Sequence, residues 1–167
     1  MSINREIAIW DGKSADDIGA VYIEHHSKPG FLDSITNLIT DASNQKGATW
    51  LLKKWLESGN QFEADRIRKV YDSLQAINDW ESKLHVLQCI PYMPIEKDEK
   101  RKVESFLRIT LTDSNKFVRA WSYNGFYELA LQYPEYVNEV KQFFEMALRD
   151  ESASVKARIR NIMKKEF

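Results

Sequence analysis

Leu111-Thr112-Asp113-Ser114-Asn115-Lys116-Phe117-Val118-Arg119-Ala120 returns 37 residues later as Leu148-Arg149-Asp150-Glu151-Ser152-Ala153-Ser154-Val155-Lys156-Ala157. Leu, Asp, Val, a basic residue and Ala recur in register. A fainter copy stands 72 residues before the first, with Asp41 and Ala48 in the places of Asp113 and Ala120, a spacing of about two repeats. A period in the upper thirties marks a unit of two helices that cannot bury its apolar face alone and therefore stacks on its neighbours.

Outward from that stretch the chain is punctuated for helices. Its six Gly and four Pro fall between segments of helical periodicity, which leaves strands little room. Ser14 caps a first helix with the apolar face Ile18, Val21 and Tyr22, and Pro29-Gly30 closes it. Phe31, Leu32, Ile35, Leu38 and Ile39 make one stripe of a second. A third runs from about Lys46 to Glu57 and stops at Gly59; Asn60 and Glu63 read as the capping box of a fourth, and Asn78 with Glu81 as that of a fifth, which ends at Pro91 and Pro94. Helices follow at about Asp98–Leu111, Lys116–Gln132, from Pro134 to about Leu148, and Ala153–Lys165. These nine helices with short links predict successive antiparallel hairpins.

Asp113 followed by Val118-Arg119, and Asp150 followed by Val155-Lys156, resemble the Asp-x4-Val-Arg pattern of HEAT and armadillo-like repeats. The likeness is specific over residues 98–167, loose over 31–95, and absent from 1–13. It implies an all-α fold, an α-α superhelix or solenoid of about four helix pairs, in one domain spanning 1–167 with 1–13 as a short N-terminal extension or cap. It also implies architectural roles for Asp113, Val118, Arg119, Asp150, Val155 and Lys156. The acidic residue lies in the turn between two helices, and the basic one bridges neighbouring turns. An acid at a helix N-terminus complements the helix dipole, and a guanidinium can tie carbonyl or carboxylate groups together.

Composition narrows the function. Twenty-four Lys and Arg against 25 Asp and Glu leave a net charge of −1, so any attraction to nucleic acid or an anionic membrane must be local. The start lacks the apolar segment of a signal peptide and no apolar run is long enough to span a bilayer, so a cytoplasmic protein is expected. Cys89, the one cysteine, sits on an apolar helix face as a small hydrophobe. His25 and His26 are adjacent, hence about 100° apart on a helix, and His85 has no cysteine company, so no metal site is expected. Neither a phosphate loop nor a nucleophile elbow occurs, and the expectation is a non-catalytic protein without cofactor.

What remains is a binding surface on the second helix of each pair, where stacked units line up equivalent helices. With Val118, Trp121, Gly125 and Leu129 toward the core, Tyr123, Asn124 and Tyr127 turn outward. With Val155, Ile159, Ile162 and Met163 in the core, Arg160, Asn161 and Lys164 are exposed; Lys53 and Lys54 belong to the same wall earlier in the chain. These residue types suit protein hot spots and nucleic-acid backbones alike. The leading expectation is a scaffold or adaptor that binds another protein. The alternative is nucleic-acid binding, including a role like that of DNA glycosylases built on HEAT-like repeats, for which Asp113, Arg119 and Trp121 are suitable residue types but make no complete site.

Overall fold

The computed structural model describes residues 1–165. Among them are ten α-helices, three 3-10 turns and no strand, so the protein is all-α. No helix among the described residues is long and apolar enough to cross a membrane. Backbone contacts divide the chain into two compact units, Met1–Tyr92 and Met93–Phe167.

The first unit holds α1 (Ile3–Ile9), α2 (Ala15–His25), α3 (Phe31–Leu38), α4 (Gln45–Glu57), α5 (Ala64–Asp72) and α6 (Trp80–Cys89). The first of these was not expected as a helix. Ser2 caps it by accepting from the Arg5 amide, and Ile3 and Ile7, one turn apart, are its buried residues. It lies against α2 and α3. Ile7 fits α4 where Gly47 has no side chain: a Cβ there would fall 2.9 Å from Ile7 Cγ2. The third helix packs on the fourth and fifth, and the fourth packs most closely on the sixth. Ile18, Ile35, Ile39, Leu51, Leu52, Val70, Tyr71, Val86 and Leu87 form the core.

Two cap assignments differ from the sequence reading. The fifth helix starts after Glu63, and the Asn60 carboxamide instead donates to the Trp55 carbonyl, 3.1 Å away, at the C-terminal end of α4. Gly59, with φ of 84°, reverses the chain there as expected. For α6 the capping side chain is Asp79, not Asn78, and it accepts from the Ser82 amide at 3.0 Å.

The second unit holds α7 (Lys100–Thr110), α8 (Lys116–Gln132), α9 (Val137–Asp150) and α10 (Ala153–Met163). Pro134 opens a 3-10 turn that leads into α9. The eighth helix is central: it packs on the seventh, ninth and tenth, and ten of its 17 residues are buried. A helix enclosed on three sides has no wide polar face.

Polar contacts between helices recur at the repeat spacing. Lys46 meets Glu81 at 2.6 Å, Thr49 meets His85 at 3.0 Å, Arg66 meets Asp33 at 3.0 Å and Lys100 meets Glu135 at 2.6 Å, with sequence separations of 35, 36, 33 and 35 residues. Within each unit, then, a helix finds its polar partners on the helix or turn one repeat away. Arg119 does this most fully. Its Nε and Nη2 hold the Glu151 carboxylate at 2.8 and 3.1 Å, and its Nη1 donates to the Asp113 and Ser114 carbonyls at 2.9 and 3.1 Å. One side chain thus ties the turn before α8 to the turn before α10. Buried Gln45 has a comparable role in the first unit, donating to the Ala76 carbonyl at 3.0 Å and accepting from the Asn78 and Asp79 amides at 2.9 and 3.2 Å.

The repeated aspartates are less uniform. Asp113 accepts from the Asn115 amide at 2.8 Å, and Asp41 accepts from the Ser43 amide at 3.0 Å in the same way. Asp150 is exposed, and in its turn Glu151 accepts from the Ser152 amide at 3.0 Å. Lys156 is half-buried at the place equivalent to Arg119. Val118 and Val155 are both fully buried.

Candidate binding face

The two second helices of the C-terminal unit present matched stripes. At 3.6 residues per turn, Phe117, Trp121, Asn124, Glu128 and Leu131 share one side of α8, and Ser154, Arg158 and Asn161 share the corresponding side of α10, with Lys165 just past its C-terminal end. Each of those four lies 37 residues after its counterpart on α8. The rungs are chemically complementary. The Arg158 guanidinium sits 4.2 Å from the centroid of the Trp121 ring, in cation–π contact. Burial raises the Glu128 carboxyl above its usual range, and the Lys165 charge pulls it back. At the ends of the stripe Phe117 and Leu131 are 48% and 46% exposed, and Lys116 lies over the Phe117 ring.

Of the eight residues expected to bind a partner, three are placed differently. Tyr123, Asn124 and Tyr127 are buried, at 8%, 5% and 4% exposure. The reason is that α8 is packed on by α7, α9 and α10: Ala120, Tyr123 and Tyr127 lie on one side of α8 and all are buried, with the Tyr123 ring against Phe144 of α9. Their counterparts on α10 are Ala157, Arg160 and Lys164, which are exposed. The same repeat position is aromatic where a further helix covers it and charged where none of the described helices does. Asn124 is on the open stripe, but it is sunk between half-exposed Trp121 and Glu128. Asn161 is exposed beside Arg158 and Lys165. Met163, expected in the core, is 55% exposed, because only Val155, Ile159 and Ile162 of α10 turn inward.

Lys53 and Lys54 separate on α4. Lys53 is half-buried on the stripe with Lys46, Trp50 and Glu57, and it meets Glu57 at 3.7 Å; Lys54 is exposed on another side. Across from that stripe α6 offers Glu81, His85 and Gln88. Burial, with help from Lys53 and Lys46, pushes the His85 imidazole down to about 4, so it is neutral at physiological pH. The Gln88 Oε1 is buried with no hydrogen-bond partner among the described residues. Burial also raises the Cys89 thiol well above its usual range, which suppresses thiolate chemistry.

Trp121, expected toward the core, is instead half-exposed on this stripe, because its direction on α8 lies about 60° off the line of Val118 and Leu129, and Arg158, Glu128 and Lys165 did not stand out in the sequence as a site. The signal that finds them is the 37-residue offset applied to every position of the two helices: it pairs tryptophan with arginine and glutamate with lysine. Comparison of the chain with protein-family models, curated proteins and solved structures finds no match.

Proposed function

We propose that this chain is a HEAT-like helical stack, a non-catalytic scaffold whose α8–α10 face binds an extended acidic segment of another protein. The observation that carries the reading is the Trp121–Arg158 rung, half-exposed at 4.2 Å between repeat-equivalent positions. Trp and Arg dominate protein hot spots because both offer a large, stiff surface with directed donors. The exposed Asn161 carboxamide can donate to and accept from an extended backbone. Arg158, Arg160, Lys164 and Lys165 set the sign of the partner, and residues 93–167 carry 14 Lys and Arg against 12 Asp and Glu. A preformed helical surface limits the ordering cost to the partner segment.

The test is selection of binders from a random peptide library displayed against the full chain. The expected result is enrichment of acidic sequences whose binding drops at least tenfold with Trp121→Ala and with Arg158→Glu, at unchanged melting temperature. Failure to enrich any sequence, or binding indifferent to both variants, would reject this face. A nucleic-acid backbone is the second reading, favoured by Lys156, Arg160 and Lys164 spaced four residues apart along α10. It requires affinity for DNA or RNA that falls steeply with salt and drops with Arg160→Glu.

A further inference from the structure

We infer that Glu6, Glu24 and His25 form a site for a divalent first-row transition cation at the seam between α1 and α2. The site is separate from the α8–α10 face and does not depend on it. Its donors come from two helices. His25 Nε2 and Glu6 Oε2 face each other across the seam, and Glu24 Oε1 lies 3.9 Å from the same imidazole nitrogen. The three donor atoms all lie within 4.8 Å of one another. Bonds of about 2.0–2.2 Å at tetrahedral angles set donors roughly 3.4 Å apart, so Glu6 Oε2 must draw back from its hydrogen bond with His25 Nε2 while Glu24 Oε1 closes on the same nitrogen.

The donor set suits the chemistry. One imidazole nitrogen with two carboxylate oxygens neutralises a dication and is the mixed N/O environment that zinc and its first-row neighbours accept. Burial differs along the set in a useful way. His25 is 6% exposed, Glu6 is half-buried, and the Glu24 side chain is half exposed, so two donors are held by packing while the third leaves an entry path and room for water. One competitor is present: Lys28 Nζ lies 3.4 Å from Glu24 Oε1 and must swing outward when a cation binds. The consequence of occupancy is mechanical. A bound cation replaces the Glu6–His25 hydrogen bond, which with the burial of Ile3 and Ile7 already holds α1, by a stiffer link to the C-terminal end of α2.

Titration of the full chain with ZnCl2 in a non-chelating buffer tests this, alongside the visible absorption of a Co2+ complex. One equivalent of Zn2+ is expected to bind and raise the melting temperature. His25→Gln and Glu24→Gln should each weaken binding at least tenfold, and Lys28→Gln should tighten it or leave it unchanged. Glu24 is at the surface, so its variant remains folded and informative if His25→Gln is destabilised. Absence of stoichiometric uptake by the wild-type chain overturns the inference. So does uptake that neither Glu24→Gln nor His25→Gln alters, since that places the ion elsewhere.

Discussion

Replacing Gly47 with alanine sets two effects of known size against each other. Within a helix, alanine is favoured over glycine by about 1 kcal/mol, because glycine loses more backbone freedom on folding. At this position the new Cβ would fall 2.9 Å from Ile7 Cγ2, 3.5 Å from Trp10 Cε3 and 3.6 Å from Ile18 Cδ1. The last two are ordinary contacts. The first is not, and Ile7 is only 3% exposed, so its methyl group has little space to retreat into. Overpacking of this kind costs about 1–3 kcal/mol. The net expectation for Gly47→Ala is a loss of up to about 2 kcal/mol. Ile7→Ala alone should cost about 2–5 kcal/mol by opening a cavity. In that background the obstructing methyl is gone, and adding Gly47→Ala should restore up to about 1 kcal/mol. The sign of the alanine effect therefore reverses between backgrounds, with a coupling of about 1–3 kcal/mol. Urea unfolding of the four proteins measures it, provided the m-values agree. Stabilisation by Gly47→Ala in the wild-type background, or the same sign in both, would refute the seating of α1 on α4.

His85 makes stability depend on pH. Its folded-state value of about 4 lies below the usual 6.5, so between these values the unfolded chain takes up a proton that the folded chain refuses. The contribution is complete above about 6.5 and is lost as pH falls through about 4; the gap corresponds to roughly 3 kcal/mol, and urea midpoints across that range should flatten in His85→Asn. Arg119→Met removes the guanidinium donors from the Asp113 and Ser114 carbonyls and leaves the Glu151 carboxylate only the Ser152 amide, and should cost about 1–3 kcal/mol, with Arg119→Lys recovering only part in thermal melts. Gln45→Leu strips partners from the Ala76 carbonyl and from the Asn78 and Asp79 amides, and should cost about 2–4 kcal/mol, with faster hydrogen exchange at residues 78 and 79.

The helices themselves were legible because each carries its own local signals. Apolar spacing, Ser14 as a cap, Gly59 as a stop and Pro134 at an entry are decided by neighbours a few residues away, and the nine expected helices correspond to α2 through α10. The helix at Ile3–Ile9 escaped notice because seven residues are too few to hold a helix by themselves; packing of Ile3 and Ile7 holds it. Periodicity also identified the inward residues Val118, Leu129, Val155 and Ile159.

Which of the remaining sides meets solvent was another matter. Periodicity assigns directions around a helix axis, but it does not say how many neighbours surround that axis. Tyr123 and Tyr127 point away from Val118 and are buried all the same, because α8 has α7, α9 and α10 packed around it, whereas Arg160 and Lys164 occupy the same repeat positions and stay exposed. The meeting of His25 with Glu6, 19 residues earlier, likewise depends on how α1 docks, and no local spacing encodes it. By itself the sequence determined an all-helical chain with a 37-residue recurrence, since helix formation and repetition are written in short-range patterns. The tertiary structure alone decided which stripe is left open, because exposure is a property of the space between helices.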